Sequence, residues 1–187
     1  VLHAKYLFDV ESCQIIENAT LAIQGSKISY AGPRLSFKGR AKKVLHEPEA
    51  ALIPGLINAH THLPMTLLRG LAEDLPFHEW LYDFIFPIEA ELVKPNFVRI
   101  GAKLALWESV LGGITTSVDN YYFMNVVAEE AEAAGLRAFI GQCVVDFPSP
   151  DNKLKNGSDY KILDSLVERY KGHERIYPAI APHAPYS

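Results

Sequence analysis

The chain has 187 residues, 49% apolar and 21% charged, with 12 Gly and 12 Pro spread along its length. That is a globular composition, enough for about one to one and a half domains, and it excludes a disordered, collagen-like or coiled-coil chain. The formal charge of −4 comes without a Lys/Arg block, so no nucleic acid partner is expected, and two cysteines, Cys13 and Cys143, suit a reducing, cytoplasmic location rather than a disulfide framework.

The opening VLHAKYLFDVES lacks the basic and apolar regions of a signal peptide, and none is expected. Residues 1 to about 50 read as a small β unit of short strands, at Leu2 to Phe8, Thr20 to Gln24, Lys27 to Tyr30 and Lys43 to His46. Gly and Pro punctuate them, and the Gly25-Ser26 pair between two alternating runs predicts a tight hairpin. Ala50 to Leu68 carries no Asp, Glu, Lys or Arg, which raises the transmembrane question. Two prolines, an Asn and two His interrupt it, each costly in lipid, so no membrane span is expected.

From Ala51 onward apolar strands alternate with amphipathic helices. A strand is predicted at Leu52 to Ala59, then a helical stretch from Pro76 to about Glu91, then a helix from Pro95 to Leu111. In that last helix Phe97, Ile100, Leu104, Trp107 and Leu111 recur at steps of three and four, predicting the core face. Further on come a strand at Thr115 to Asp119, a helix at Met124 to Ala134 ended by Gly135, and a strand at Ala138 to Asp146. After the polar loop PSPDNKLKNGSD, a helix at Asp159 to Tyr170 leads to a last strand at Ile176 to Ala181. Ile162, Leu163, Leu166, Val167 and Tyr170 form the expected apolar face of that helix.

This alternation predicts a parallel sheet. A doubly wound sheet would normally carry a Gly-rich phosphate turn after its first strand, and here HTHLP follows Ala59. An eight-stranded α/β barrel instead places its chemistry at the C-terminal ends of the strands. His60 and His62, Asp119 and Asn120, Asp146, and His183 lie at such ends. The expected fold is therefore α/β: residues 51–187 form the first four βα units of a barrel, preceded by the β unit of 1–50, with the barrel incomplete.

Residues two apart on a strand point to the same face, so His60 and His62 can present two imidazoles to one point, half of a zinc-type site. A short His-x-His also arises by chance, and a pair of satisfied structural histidines is the competing reading. The remaining His3, His46, His78 and His173 read as surface residues.

The stretch PGLINAHTHLPMTLLRGLAEDLPFHEWLYDFIFPIEAEL, followed by GGITTSVDNYYF and APHAPYS, resembles the metal-dependent amidohydrolase superfamily. The likeness runs from about Leu2 to Ser187. Within that superfamily the nearest branch is the 5-methylthioadenosine/S-adenosylhomocysteine deaminases and the related s-triazine chlorohydrolases. The resemblance implies that His60 and His62 are metal ligands and that Glu89 binds ribose hydroxyls. It implies that Trp80 lines the pocket and that His183 contacts a purine-like ring. Asp119 falls in a family signature without a role attached. By residue type alone, Glu89 would read as a solvated helix face, Trp80 with Tyr82, Phe84 and Phe86 as lid packing, and His183 as a strand-end cap.

The same resemblance implies one divalent metal, zinc first and iron second, held by the His-x-His, a third His and an Asp. The metal acidifies a water that attacks the amino-bearing ring carbon, while a glutamate moves the proton onto the departing ammonia. Binuclear relatives use a bridging lysine after the fourth strand, and no lysine follows Lys171, so a mononuclear deaminase is expected. The third His, the glutamate and the Asp have no place in this sequence. The expectation is the front half of an enzyme, completed by further barrel strands or a second chain, inactive as 1–187 alone, with a composite N-terminal sandwich and homo-oligomeric assembly.

The expected substrate is a heteroaromatic amine or an adenosine-like nucleoside. The alternatives are a chlorohydrolase, a guanine/cytosine-type deaminase on the same scaffold, or a non-catalytic half-barrel subunit.

Overall fold

Pro54 and Gly55 divide the uncharged apolar stretch between two folding units, Val1–Pro54 and Gly55–Ser187. A computed structural model of the protein describes residues 1–185. The first unit is one four-stranded sheet in the order β3-β2-β1-β4, built from β1 (Leu2–Asp9), β2 (Gln14–Gln24), β3 (Lys27–Pro33) and β4 (Leu45–Leu52). Gln24 pairs with Lys27 across Gly25, which sits at φ +63, so the expected hairpin is present. Strand β2 starts six residues before Thr20 because Gln14 to Glu17 pair with β1 from Asp9 to Tyr6. Backbone pairing there, with the β-branched Ile15 and Ile16 opposite Phe8 and Leu7, extends the strand. Among the described residues this unit supplies a single sheet layer.

The second unit opens with β5 (Leu56–Thr61) rather than with a strand at Leu52 to Ala59. The shift has a plain cause: Leu52 ends β4, and Pro54 cannot donate to a ladder. A 3₁₀ turn (Leu63–Leu68) follows, then three consecutive helical segments, α1 (Phe77–Glu79), a π-helical turn (Trp80–Ile85) and α2 (Phe86–Leu92). Pro87 lies in the first turn of α2, where its missing N–H does no harm, and the wider π turn before it absorbs the break. The rest is α3 (Pro95–Leu111), β6 (Ile114–Tyr121), α4 (Met124–Ala134), β7 (Arg137–Val144), α5 (Ser158–Tyr170) and β8 (Ile176–Pro182).

Strands β5, β6, β7 and β8 pair in parallel and in sequential order. A doubly wound sheet reverses its strand order at a switch point; this one does not, which is the arrangement of the first half of an α/β barrel. The core packs α4 (Met124, Val127, Ala128, Ala131), α5 (Leu166, Tyr170) and the strand residues Ile140 and Ile176 together, each 2% exposed or less. No helix among the described residues is long and apolar enough to cross a membrane.

Helix α3 corrects the expected core face. Val98, Gly101, Ala102, Ala105, Leu106 and Ser109 are buried, whereas Ile100, Trp107 and Leu111 are at least half exposed. The buried stripe is rich in small residues because the helix lies against the 3₁₀ turn at backbone range: a Cβ on Gly101 would sit 2.4 Å from the Pro64 carbonyl oxygen. Gly101→Ala should therefore destabilise the protein by about 1–3 kcal/mol through overpacking. The intrinsic helix gain of about 1 kcal/mol cannot offset this where backbone meets backbone. A urea midpoint equal to or above that of the unsubstituted protein would contradict this close approach. In α5 the expected face is buried at Leu166 and Tyr170, but Val167 is 49% exposed.

Candidate metal and substrate site

His60 lies near the end of β5 and His62 just beyond it, where the chain leaves the sheet for the 3₁₀ turn. Their ring centroids are 5.3 Å apart with planes at 87°. The Nδ1 of His62 is hydrogen-bonded to the backbone carbonyl of Asn120. A carbonyl can only accept, so Nδ1 carries the proton and Nε2 keeps its lone pair. One residue further on, the Leu63 N–H donates to Asp119 Oδ1 at 2.9 Å. Asp119 is 1% exposed. Burial pushes its carboxyl up to about 7, opposed by the Leu63 and Asn120 N–H groups.

Trp80 stands at the start of the π turn and Glu89 in α2. Glu89 is 4% exposed, not a solvated helix residue. The Tyr121 hydroxyl, at the end of β6, donates to its Oε1 at 2.7 Å. Burial pushes the Glu89 carboxyl up to about 7, and the tyrosine bond only partly counters this. The Tyr121 phenol in turn is held above its usual range by burial and by Glu89. His183 follows β8, and its backbone N–H donates to the Val144 carbonyl at 3.2 Å. Burial, and then the neighbouring His62, lower its pKa.

These five residues line one cavity of about 400 Å³. Glu89 and Trp80 reach it from the helical segments, His60, His62 and His183 from the ends of β5 and β8. Asp146 is exposed and outside that lining. Two lining residues, Tyr121 and Cys143, carried no sequence signal for it; Asn120, already singled out as a strand-end polar residue, also lines it, and its Oδ1 is buried without a hydrogen-bond partner among the described residues. The Cys143 thiol is pushed up to about 12, chiefly by burial, and stays protonated at neutral pH.

Two imidazoles, one with its tautomer set by a carbonyl partner, are chemically suited to a divalent metal of the zinc type. Among the described residues no group of three or more His, Cys, Asp or Glu side chains is placed to hold a metal ion. What is present is a pair of imidazoles at one strand end.

His46 and His78 are exposed, as expected. His3 and His173 are half-buried instead: His3 Nδ1 is 2.7 Å from Thr20 Oγ1, and His173 Nδ1 accepts the N–H groups of Arg175 and Ile176. The loop after β7 also departs from its polar, turn-rich reading. Asp151 is buried and accepts from the Phe123 N–H, Gln142 Nε2 and Ser149 Oγ, and Asn152 donates to the buried Asp159. These bonds tie the loop to β7 and to the starts of α4 and α5.

A profile described as the amidohydrolase family matches residues 51–187. The 5-methylthioadenosine/S-adenosylhomocysteine deaminase of Syntrophobacter fumaroxidans is 46% identical over 170 residues, 89% of this chain and 38% of the relative. The enzyme of the same description from Thermodesulfovibrio yellowstonii is 38% identical over 193 residues, covering 100% of this chain and 44% of the relative. Among solved structures, an adenosine deaminase from Xanthomonas campestris with bound zinc superposes with a TM-score of 0.93 at 36% identity, over 100% of this chain and 43% of that one. An atrazine chlorohydrolase from Arthrobacter aurescens in complex with zinc gives 0.81 at 22% identity, over 97% and 46%, a likeness of fold. The chain thus spans less than half the length of these relatives.

Proposed function

The chain belongs to the amidohydrolase family, and from that premise we propose that it is the front half of a metal-dependent hydrolytic deaminase acting on an adenosine-like nucleoside. The observation that carries this reading is the convergence of His60, His62, Trp80, Glu89 and His183 on one cavity. Further support comes from the deaminases among its relatives.

His60 and His62 would hold a divalent metal, zinc by analogy with the neighbouring structures. When bound, the metal supplies an acidified water at neutral pH. The chain's own residues then bind and orient the substrate. The Asn120 carbonyl keeps the His62 Nε2 lone pair available. Ionised Glu89 has lone pairs for two ribose hydroxyls, while Tyr121 occupies a site on Oε1 and steers the carboxylate. Leu81, Ile85 and Phe86, which line the same cavity, exclude water from around the ring. With its pKa lowered, His183 is neutral at pH 7 and offers the ring one donor or one acceptor. Proton transfer to the departing ammonia belongs to residues of the remaining barrel strands, whether on a continuation of this chain or on a second one.

The test is release of ammonia from 5-methylthioadenosine by the protein with its barrel complete, beside the matching free base. Glu89→Ala removes charge-assisted hydrogen bonds, each worth about 1.5–3 kcal/mol. It should cost on the order of 100-fold in kcat/KM on the nucleoside while leaving the free base within a few-fold. Equal losses on both would remove ribose recognition, and no ammonia from either would remove the deaminase reading.

A further inference from the structure

We propose that Asp119 is the positioning residue for the metal-binding end of β5: its buried carboxylate, by accepting the Leu63 N–H, sets the turn that aims His62 into the cavity. The inference rests on the reading of His62 as a metal ligand. Strand β6 lies parallel to β5 with Thr61 opposite Asp119. At this point β5 ends and the chain enters the 3₁₀ turn, with His62 at its N-terminal boundary, φ −127 and ψ 75. The first N–H groups of such a turn have no partner within the turn itself. Two consecutive residues of β6 meet two consecutive residues here: Asn120 takes the ring N–H of His62 through its backbone carbonyl, and Asp119 takes the backbone N–H of Leu63.

The first bond sets how the His62 ring is turned, and it holds only if the backbone that carries the ring is placed. The second bond places that backbone. Leu63 is 3% exposed and Pro64 is buried against Gly101, so a turn without this acceptor would leave a buried N–H unpaired, a loss that favours shifting the chain. The other oxygen, Asp119 Oδ2, is buried without a hydrogen-bond partner among the described residues.

The readout is zinc affinity, from competition with a chromophoric chelator, in the protein with its barrel complete. Asp119→Ala should weaken zinc binding about 10- to 100-fold, the usual effect of removing a partner that orients a ligand. Asp119→Asn keeps an oxygen for the Leu63 N–H and should stay within about threefold of the unsubstituted protein. Leu166→Ala, in the core of α5, serves as a control for lost stability and should leave affinity unchanged. An Asp119→Ala affinity within about twofold of the original overturns the proposal. So does a loss above about tenfold in Asp119→Asn, which would assign the effect to charge rather than to the acceptor; that second arm decides the matter even where the alanine variant does not fold. Failure of the underlying reading is seen separately, as an unsubstituted protein that takes up no zinc or whose uptake is indifferent to His62→Ala.

Discussion

His62→Ala should leave the complete enzyme with almost no bound metal and reduce deamination by roughly a thousandfold or more, since a bound metal contributes several kcal/mol of transition-state stabilisation. The reason lies in the geometry at the end of β5. His60 and His62 are the two proposed ligands at one strand end, and the described residues hold no third group placed to complete a metal site. Loss of either ring leaves one imidazole from this half of the barrel, too few donors for a catalytic zinc with its three or more protein ligands. His62 should be the more sensitive, because its ring is already oriented by Asn120, whereas His60 is exposed. Metal analysis after exhaustive dialysis, paired with ammonia release, measures both quantities. Retained metal with activity within about tenfold of the original would show that the pair is structural after all.

Glu89→Gln should make the stability of the protein less dependent on pH, by an amount large for a single residue. The Glu89 carboxyl, ordinarily at 4.5, lies at about 7 in the folded protein because it is buried. The folded state therefore holds this proton more tightly than the unfolded chain does. Its contribution to stability is fully present below about 4.5, declines as pH rises, and is gone above about 7. A rise of that size corresponds to about 3 kcal/mol. Glutamine does not titrate, and its carbonyl oxygen can still accept from Tyr121. The difference between the two proteins should be constant at low pH and move in favour of glutamine by about 3 kcal/mol between pH 4.5 and pH 8. Denaturant unfolding at three pH values measures it. Parallel stability curves for the two proteins would mean that Glu89 is solvated or paired with a cation in the complete protein.

Local spacing made the two histidines legible, whereas Trp80, Glu89 and His183 were reached only through the family resemblance. His60 and His62 are two apart at the end of an apolar strand, and that alternation is a property of any extended backbone. The helical stretch from Pro76 to about Glu91 was legible as a helix but not as a π turn, since the wider turn answers to Pro87 and to packing rather than to periodicity. Helix α3 shows the complementary failure. Its large apolar residues recur at helical spacing, yet the helix buries the small residues one position round. Gly101 lets the helix backbone come within contact of Pro64, with Ala102 and Ala105 buried on the same stripe, and this close approach outweighs the hydropathy of Trp107 and Leu111. Nor could periodicity announce that Asp151 and Asp159 are buried, because their partners come from β7, α4 and a neighbouring turn.

By itself the sequence determined the α/β alternation, the parallel order of the strands, the strand ends that carry polar residues, and the family to which the chain belongs. All of these follow from local patterns of residue type, which survive in an unfolded chain. Tertiary structure alone decided that Glu89 is buried beneath the Tyr121 hydroxyl, that Asp119 clamps the turn after His62, and that Asn120 chooses the tautomer of its ring. Each is a hydrogen bond between residues 32 to 58 positions apart. Such a bond has no periodicity to betray it, because its energy depends on burial and direction, which exist only once the strands and helices have packed.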